Sequence, residues 1–291
     1  MQGLIIGNIA NLYKIKVNSK IYNATARGRF KKDDTTPVVG DLVEIQIIHE
    51  EKLEAVIEKI QPRKTYIKRP KVANVSKLVC VLSVKDPKPD LLMLDKQLAY
   101  AEYLNIEPII VINKIDLADN YKEIEETYTK IGYKVYAISA KEAETVKKLK
   151  LELNNKISVL AGNSGVGKST TINAIFENNI TQEGLISERN KRGKNTTTDV
   201  KLYEIGPNSY IVDTPGFSTF EISEIESKDL DKYFKEFKTE IENCRYVGCT
   251  HIKEKECGIK YAVEQGKISP QRYERFCKIY NELKEKEERK W

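Results

Sequence analysis

In the first 66 residues apolar and polar positions alternate in short runs, LIIGNIANLYKIKV, KIYNATARGRF, DLVEIQIIHE and LEAVIEKI. Asn18, Gly28, Pro37 and Gly40 punctuate them, and no 3.6-residue period is sustained. A period of two predicts half-buried strands. About five such strands in so short a stretch predict a small barrel of the OB type, although an SH3-like barrel would give nearly the same pattern. The stretch from Pro62 to Pro70 is basic and bounded by prolines, and it is expected to be a linker.

After Val72 the pattern changes. Wholly apolar runs (KLVCVLSV, PIIVINK, KVYAISA, KISVLAGN) alternate with amphipathic segments such as LLMLDKQLAYAEYLN and EIEETYTKIG. Buried strands alternating with helices predict a parallel sheet covered on both faces. KLYEIG and NSYIVDTPG look like a hairpin, which makes the sheet mixed. From Phe220 onward the pattern is helical and charged, interrupted by a group of cysteines.

Composition narrows the class. Of 291 residues 40% are hydrophobic and 32% charged, and no apolar run approaches the length of a membrane span. The start MQGLIIGNIANLYK lacks the features of a signal peptide, so a cytoplasmic protein without a membrane partner is expected. Net charge is +6 for the chain, and residues 1–72 hold that whole excess, with 14 Lys and Arg against 8 Asp and Glu. Basicity confined to one end predicts a polyanion-facing module. Lys14, Lys16, Lys20, Arg27, Arg29, Lys31 and Lys32 supply it, and Tyr13, Tyr22 and Phe30 are expected to offer stacking platforms for RNA bases. None of the motifs described next lies in this segment, so a chain beginning near Val72 is expected to keep the ligand they bind.

Three motifs carry chemistry. Gly162, Asn163, Ser164, Gly165, Val166, Gly167, Lys168 and Ser169 satisfy G-x-x-x-x-G-K-[ST], between a strand and the helical segment that begins with Ser169 and Thr170. Backbone amides there would surround phosphate oxygens, Lys168 would reach the β- and γ-phosphates, and Ser169 would hold Mg²⁺. Asn113, Lys114, Ile115 and Asp116 end the strand PIIVI and resemble the guanine-reading N-K-x-D of GTPases. Asp116 can accept from two guanine donors that adenine lacks. Ser139, Ala140 and Lys141 resemble the companion loop. Asp213, Thr214, Pro215 and Gly216 resemble a second switch, with Asp213 holding Mg²⁺ through water and the Gly216 amide sensing the γ-phosphate. Thr197 is the favoured threonine of the first switch. Cys244, Cys249, His251 and Cys257 make a Cys₃His set suited to one structural zinc.

The order of the motifs is unusual. Asn113 precedes Gly162 by 49 residues, the reverse of ordinary GTPases. With the barrel, Ala73-Asn74-Val75, Leu94-Asp95, the cysteine segment and YAVEQGKISPQRY, the chain resembles the RsgA family of circularly permuted GTPases that act in small-subunit ribosome biogenesis. The resemblance implies an OB-fold barrel (1–66), a linker (67–72), a circularly permuted P-loop GTPase domain of α/β type (73–219) and a helical zinc-binding domain (220–291). It further implies a monomer that binds GTP or GDP with Mg²⁺, and the 30S subunit with its 16S rRNA as partner. The chain departs from the family at Asn195, where relatives usually carry a histidine, and Phe217 stands where many GTPases have a glutamine. Slow intrinsic hydrolysis follows, with a partner supplying or ordering the missing group.

Overall fold

A computed structural model describes residues 1–28, 30, 36–177, 200–213, 222 and 224–289. They fall into two compact units. The first takes in Met1–Leu78, Val146–Leu160 and the described part of 169–217; the second takes in Val79–Thr145, Ala161–Lys168 and the described part of 218–291.

In the first unit, β1 (Gln2–Ile9), β2 (Leu12–Val17), β3 (Lys20–Ala26), β4 (Leu42–His49) and β5 (Glu54–Ile60) form a barrel in the order β1-β2-β3-β5-β4, closed by β1–β4 pairing. The β3–β5 pair is parallel and the others antiparallel. This Greek-key order is the OB arrangement, and closure leaves no free sheet edge. Ala10 and Asn11 both take positive φ, as a two-residue hairpin turn between right-twisted strands requires.

Alternation along β2 sends Tyr13, Ile15 and Val17 inward, between the outward Leu12, Lys14 and Lys16. Tyr13 and Tyr22 point inward from β2 and β3, and Phe30 is buried outside the strands; at 1%, 2% and 8% exposure none of the three rings is open to serve as the stacking platform expected from the sequence.

The proline-bounded basic stretch folds onto the barrel. β6 (Tyr66–Lys68) and β7 (Lys71–Ala73) pair as a hairpin, and the Ala73 amide donates to Val39 O at 2.9 Å. Arg63 grips the fully buried Asp41 with two hydrogen bonds, 2.8 and 2.9 Å. The same unit contains β11 (Ile157–Ala161, of which Ile157–Leu160 lie here), β12 (Lys201–Gly206) and β13 (Ser209–Asp213). β13 lies parallel to β11 and antiparallel to β12, and β12 pairs with β1.

In the second unit the strand order is β10-β9-β8, from β8 (Lys77–Ser83, of which Val79–Ser83 lie here), β9 (Glu107–Asn113) and β10 (Lys134–Ala137). β9 and β10 are parallel. All of β8 and six of the seven residues of β9 are buried, as expected for strands covered on both faces. Helix α1 (Leu91–Tyr103) starts where Asp90 accepts from the Met93 amide, and α2 (Tyr121–Ile131) stops at the left-handed Gly132. α3 (Ala143–Glu152) bridges the two units in sequence, and α4 (Lys168–Glu177) begins at the glycine-rich loop.

The C-terminal segment is less helical at first than its pattern suggests. Short 3₁₀ turns occupy Ser227–Tyr233, Lys235–Phe237 and Ile241–Asn243 before α5 (Gly258–Glu264) and α6 (Pro270–Glu288). Its core centres on Phe234, Phe237 and Phe276, with ring centroids 4.8–5.2 Å apart. Ala99 and Tyr100 of α1 belong to the same core. No helix among the described residues is long and apolar enough to cross a membrane.

Candidate functional site

The glycine-rich loop follows β11 and opens α4. Two of its glycines are required by close approaches. At Gly162 (φ +146°) a Cβ would stand 2.2 Å from Val81 O, and at Gly167 (φ +95°) 2.2 Å from Asn113 Nδ2. The space at Gly167 lets Asn113 reach the loop: its buried carboxamide donates to Val166 O at 2.9 Å, and its Oδ1 accepts from the Lys114 amide at 2.8 Å. One side chain thus joins the two predicted nucleotide loops. Neighbouring positions add to the anchoring. Asn163 donates to Asp90 at 3.0 Å, and Val166 is buried beneath the loop.

Lys168 sits at the start of α4. Its ammonium donates to Gly162 O (2.6 Å) and Asn163 O (2.9 Å), and burial pulls its pKa below the ordinary lysine value. Ser164, Gly165, Ser169 and Thr170 are exposed. A concave loop with an exposed hydroxyl, a cation and a helix N-terminus is chemically suited to a polyphosphate and its Mg²⁺.

Beyond Asn113 the chain turns sharply, with Lys114 in the left-handed region and its ammonium on Asp86 O. The Ile115 amide donates to Ile138 O at 3.3 Å. Asp116 Oδ1 accepts from the Ser139 hydroxyl at 3.0 Å, and Oδ2 faces the Lys141 ammonium at 2.8 Å. These two bonds, Lys141 first, hold the Asp116 carboxyl below its usual pKa, so it is an ionised acceptor. Ser139 is itself fixed by Thr145, which receives the Ser139 amide at 3.2 Å, and Ala140 lies half-buried between Ser139 and Lys141. Asp116, Ser139, Ala140 and Lys141 thus stand together just beyond the C-terminal ends of β9 and β10.

Asp213 ends β13, whose parallel register with β11 pairs Val212 with Val159. Thr197 and Gly216 lie outside the described residues, as do Asn195 and Phe217.

The cysteine and histidine ligand atoms converge in the C-terminal segment, all within 4.8 Å of one another. His251 Nδ1 is 3.3 Å from Cys257 Sγ and 3.6 Å from Cys244 Sγ, and those sulfurs are 4.0 Å apart. A tetrahedral zinc with ordinary Zn–S and Zn–N bonds has ligand separations of about 3.5–3.8 Å, so the four groups fit one ion. Burial pushes the Cys249 thiol up to about 12, and burial also raises Cys257. Metal entry must therefore displace protons. His251 Nε2 lies 3.2 Å from Asp231 Oδ2, which leaves Nδ1 for the cluster. The Gly258 amide donates to Cys244 Sγ at 3.3 Å, and the Tyr273 hydroxyl donates to His251 O at 2.6 Å.

Sequence reasoning did not identify Asp231, which lies 20 residues from His251 and outside the cysteine window. It also missed the ionic network at Asp95. Asp95 is fully buried; it pairs with Arg272, which is itself 1% exposed, and with Arg275 Nε at 2.5 Å. The Tyr128 hydroxyl donates to it at 2.5 Å, and Arg272 also pairs with Glu236. The fragments LD and SPQRY, noted as family signatures, contain its two central residues.

Comparison with known proteins places these features in one family. A profile described as RsgA GTPase matches residues 60–223, and one described as RsgA N-terminal domain matches 2–57. Two proteins called small ribosomal subunit biogenesis GTPase RsgA are similar throughout. The one from Clostridium botulinum is 43% identical, covering 100% of both chains; that from Caldanaerobacter subterraneus is 40% identical, covering 100% of this chain and 98% of its own. The crystal structure of YjeQ from Thermotoga maritima superposes with a TM-score of 0.84 at 36% identity, over 97% of this chain and 98% of that one. YloQ, described as a circularly permuted GTPase, gives 0.82 at 30% identity, over 98% and 95%.

Proposed function

The chain belongs to the RsgA family of circularly permuted GTPases, and on that premise we propose that it binds the small (30S) ribosomal subunit late in maturation. There it hydrolyses GTP to GDP and phosphate at a rate the subunit raises, and then leaves. Family membership makes it a GTP hydrolase of ribosome biogenesis, with GTP, GDP and Mg²⁺ as ligands. The observation that supports this reading best is the Asn113–Val166 bond, which brings a guanine-type loop and a phosphate-type loop together although their order in the chain is reversed.

In this proposal Asp116 accepts from the guanine ring N–H and exocyclic amine, and the Ala140 amide meets the guanine oxygen. Amides of 163–170 receive the phosphates, and Lys168 reaches the β- and γ-oxygens. Ser169 and Thr197 would hold Mg²⁺, which would supply charge that offsets the phosphates. Asp213 would orient a metal-bound water, and Gly216 would sense the γ-phosphate. The four Cys₃His ligands fill a tetrahedral shell, so zinc there is structural. The 16S rRNA meets the basic barrel, and the chain works as a cytoplasmic monomer. With Asn195 in the first switch and Phe217 after the second, neither position supplies a base. The subunit therefore provides or orders the missing group.

The test is GTP turnover with and without purified small subunits. A slow rate that rises severalfold on adding subunits supports the proposal; equal rates in both conditions reject subunit stimulation.

A further inference from the structure

The barrel is joined by strand pairing to the hairpin that ends at Asp213. Across β2, β1, β12 and β13 the backbone register aligns Lys14 with Gly7, Gly7 with Lys201, and Lys201 with Asp213. Three strand spacings separate the ends of this row, about 14 Å. At one end stands Lys14, exposed on the barrel and without a partner among the described residues. At the other stands the residue assigned to the Mg²⁺ side of the site. Lys201 opens β12 only three positions after Thr198, so the row also meets the end of the first switch segment in sequence.

Gly7–Lys201 is the one paired position of the β1–β12 seam among the described residues. Side chains add to the alignment of this seam. Lys16 of β2 forms an ion pair with Glu204 of β12, and both side chains are mostly buried, at 22% and 28% exposure. The Lys16 ammonium also lies 5.7 Å from the ring centre of Tyr210 on β13, and Tyr210 is the cross-strand partner of Glu204. Burial alone would lower the Lys16 pKa. The hydrogen bond to Glu204 and the nearby Tyr210 outweigh it and hold the Lys16 ammonium above its ordinary value. Lys16 and Glu204 are 188 residues apart in the chain, and their contact exists only if the barrel is seated against this hairpin.

We propose that Lys16, Glu204 and Tyr210 are positioning residues that lock the barrel to the β12–β13 hairpin, so that an RNA backbone engaging the Lys14 face of the barrel biases the placement of Asp213 and thereby GTP turnover. The proposal rests on the assignment of Asp213 to the Mg²⁺ side of the site. Hydrogen-bonded strands shift together more readily than they stretch. A load on β2 and β1 therefore passes to β12 and β13 as long as the seam holds. A shared contact is not by itself coupling, and coupling is measured by whether two changes restore what each alone removes.

The experiment uses the full chain with Lys16→Glu, Glu204→Lys, the double charge swap, and Glu204→Gln as a milder variant, each checked by thermal unfolding. Three quantities are read: affinity for small subunits, GTP turnover with and without subunits, and the Mg²⁺ concentration that half-saturates binding of a fluorescent GTP analogue. Glu204→Lys leaves the barrel surface unchanged, so subunit affinity and basal turnover should stay near the parent values. Subunit-stimulated turnover should fall about tenfold and the Mg²⁺ requirement should rise. Glu204→Gln should lose less, and the double swap should restore both readouts.

Parent-like stimulation and Mg²⁺ dependence in Glu204→Lys overturn the proposal, and so does a swap that fails to recover. Asp213→Ala separates the two levels. If that variant leaves Mg²⁺ dependence unchanged, the assignment of Asp213 is wrong. If it raises the Mg²⁺ requirement while Glu204→Lys does not, only the coupling is wrong.

Discussion

At the nucleotide loops, room is the decisive feature. Gly162 and Gly167 give up side chains so that Val81 O and the Asn113 carboxamide can come close, and the groups that remain are backbone amides, one lysine and one carboxylate. Around the cysteines the opposite holds. Four side chains converge within 4.8 Å, Asp231 braces His251 from behind, and the phenylalanine core packs against them. A site made of backbone can lose a side chain and keep its fold while its ligand is lost. A site made of buried side chains cannot lose one without leaving the others unsatisfied.

The largest expected effect lies at the cysteines. Metal analysis should find about one zinc per chain, and Cys249→Ala should lose it and melt the C-terminal segment, because structural zinc contributes on the order of 10 kcal/mol in small domains. Retained zinc with unchanged melting would remove Cys249 from the ligand set. Arg272→Ala comes next. It takes the cation from Glu236 and leaves Asp95 with Arg275 and Tyr128, and loss of one partner of a buried ion pair costs about 3–5 kcal/mol. Chemical denaturation of that variant should show the drop. GTP affinity measured below the transition should change little, since none of these groups belongs to the nucleotide loops.

Gly167→Ala should reverse that balance. The new Cβ collides with Asn113 Nδ2, so the Asn113–Val166 bond must break. Stability should fall by only about 1–3 kcal/mol, while GTP affinity falls by about tenfold or more. A variant that binds GTP normally would show that the bond does not organise the site.

How far the sequence could be read follows the same division. The backbone-built loops are legible because each is a run of consecutive residues: 162–169, 113–116 and 139–141. The metal ligands are legible because they fall within 14 residues. The braces are not, since Asp231 lies 20 residues from His251 and Arg272 lies 177 from Asp95, and chain spacing carries no trace of such contacts. The barrel was legible as strands but its aromatic residues were placed on the wrong face. Tyr13-Lys14-Ile15-Lys16-Val17 alternates cleanly, and the lysines already mark the outer side. A cut near Val72, expected from the sequence to spare GTP binding, would strip β12 of β1 and break the Val39–Val72 bridge. Its effect should therefore reach the Asp213 hairpin.

Base selection by Asp116→Asn tests most directly whether the reversed motif order still assembles a guanine site. Exchanging the carboxylate for a carboxamide removes one of the two acceptors that match the guanine donor pair. Competition binding with guanosine and xanthosine triphosphates should then show weaker GTP binding and a shift of preference toward the xanthine nucleotide. GTP bound as tightly by Asp116→Asn as by the parent chain would contradict the assignment of residues 113–116.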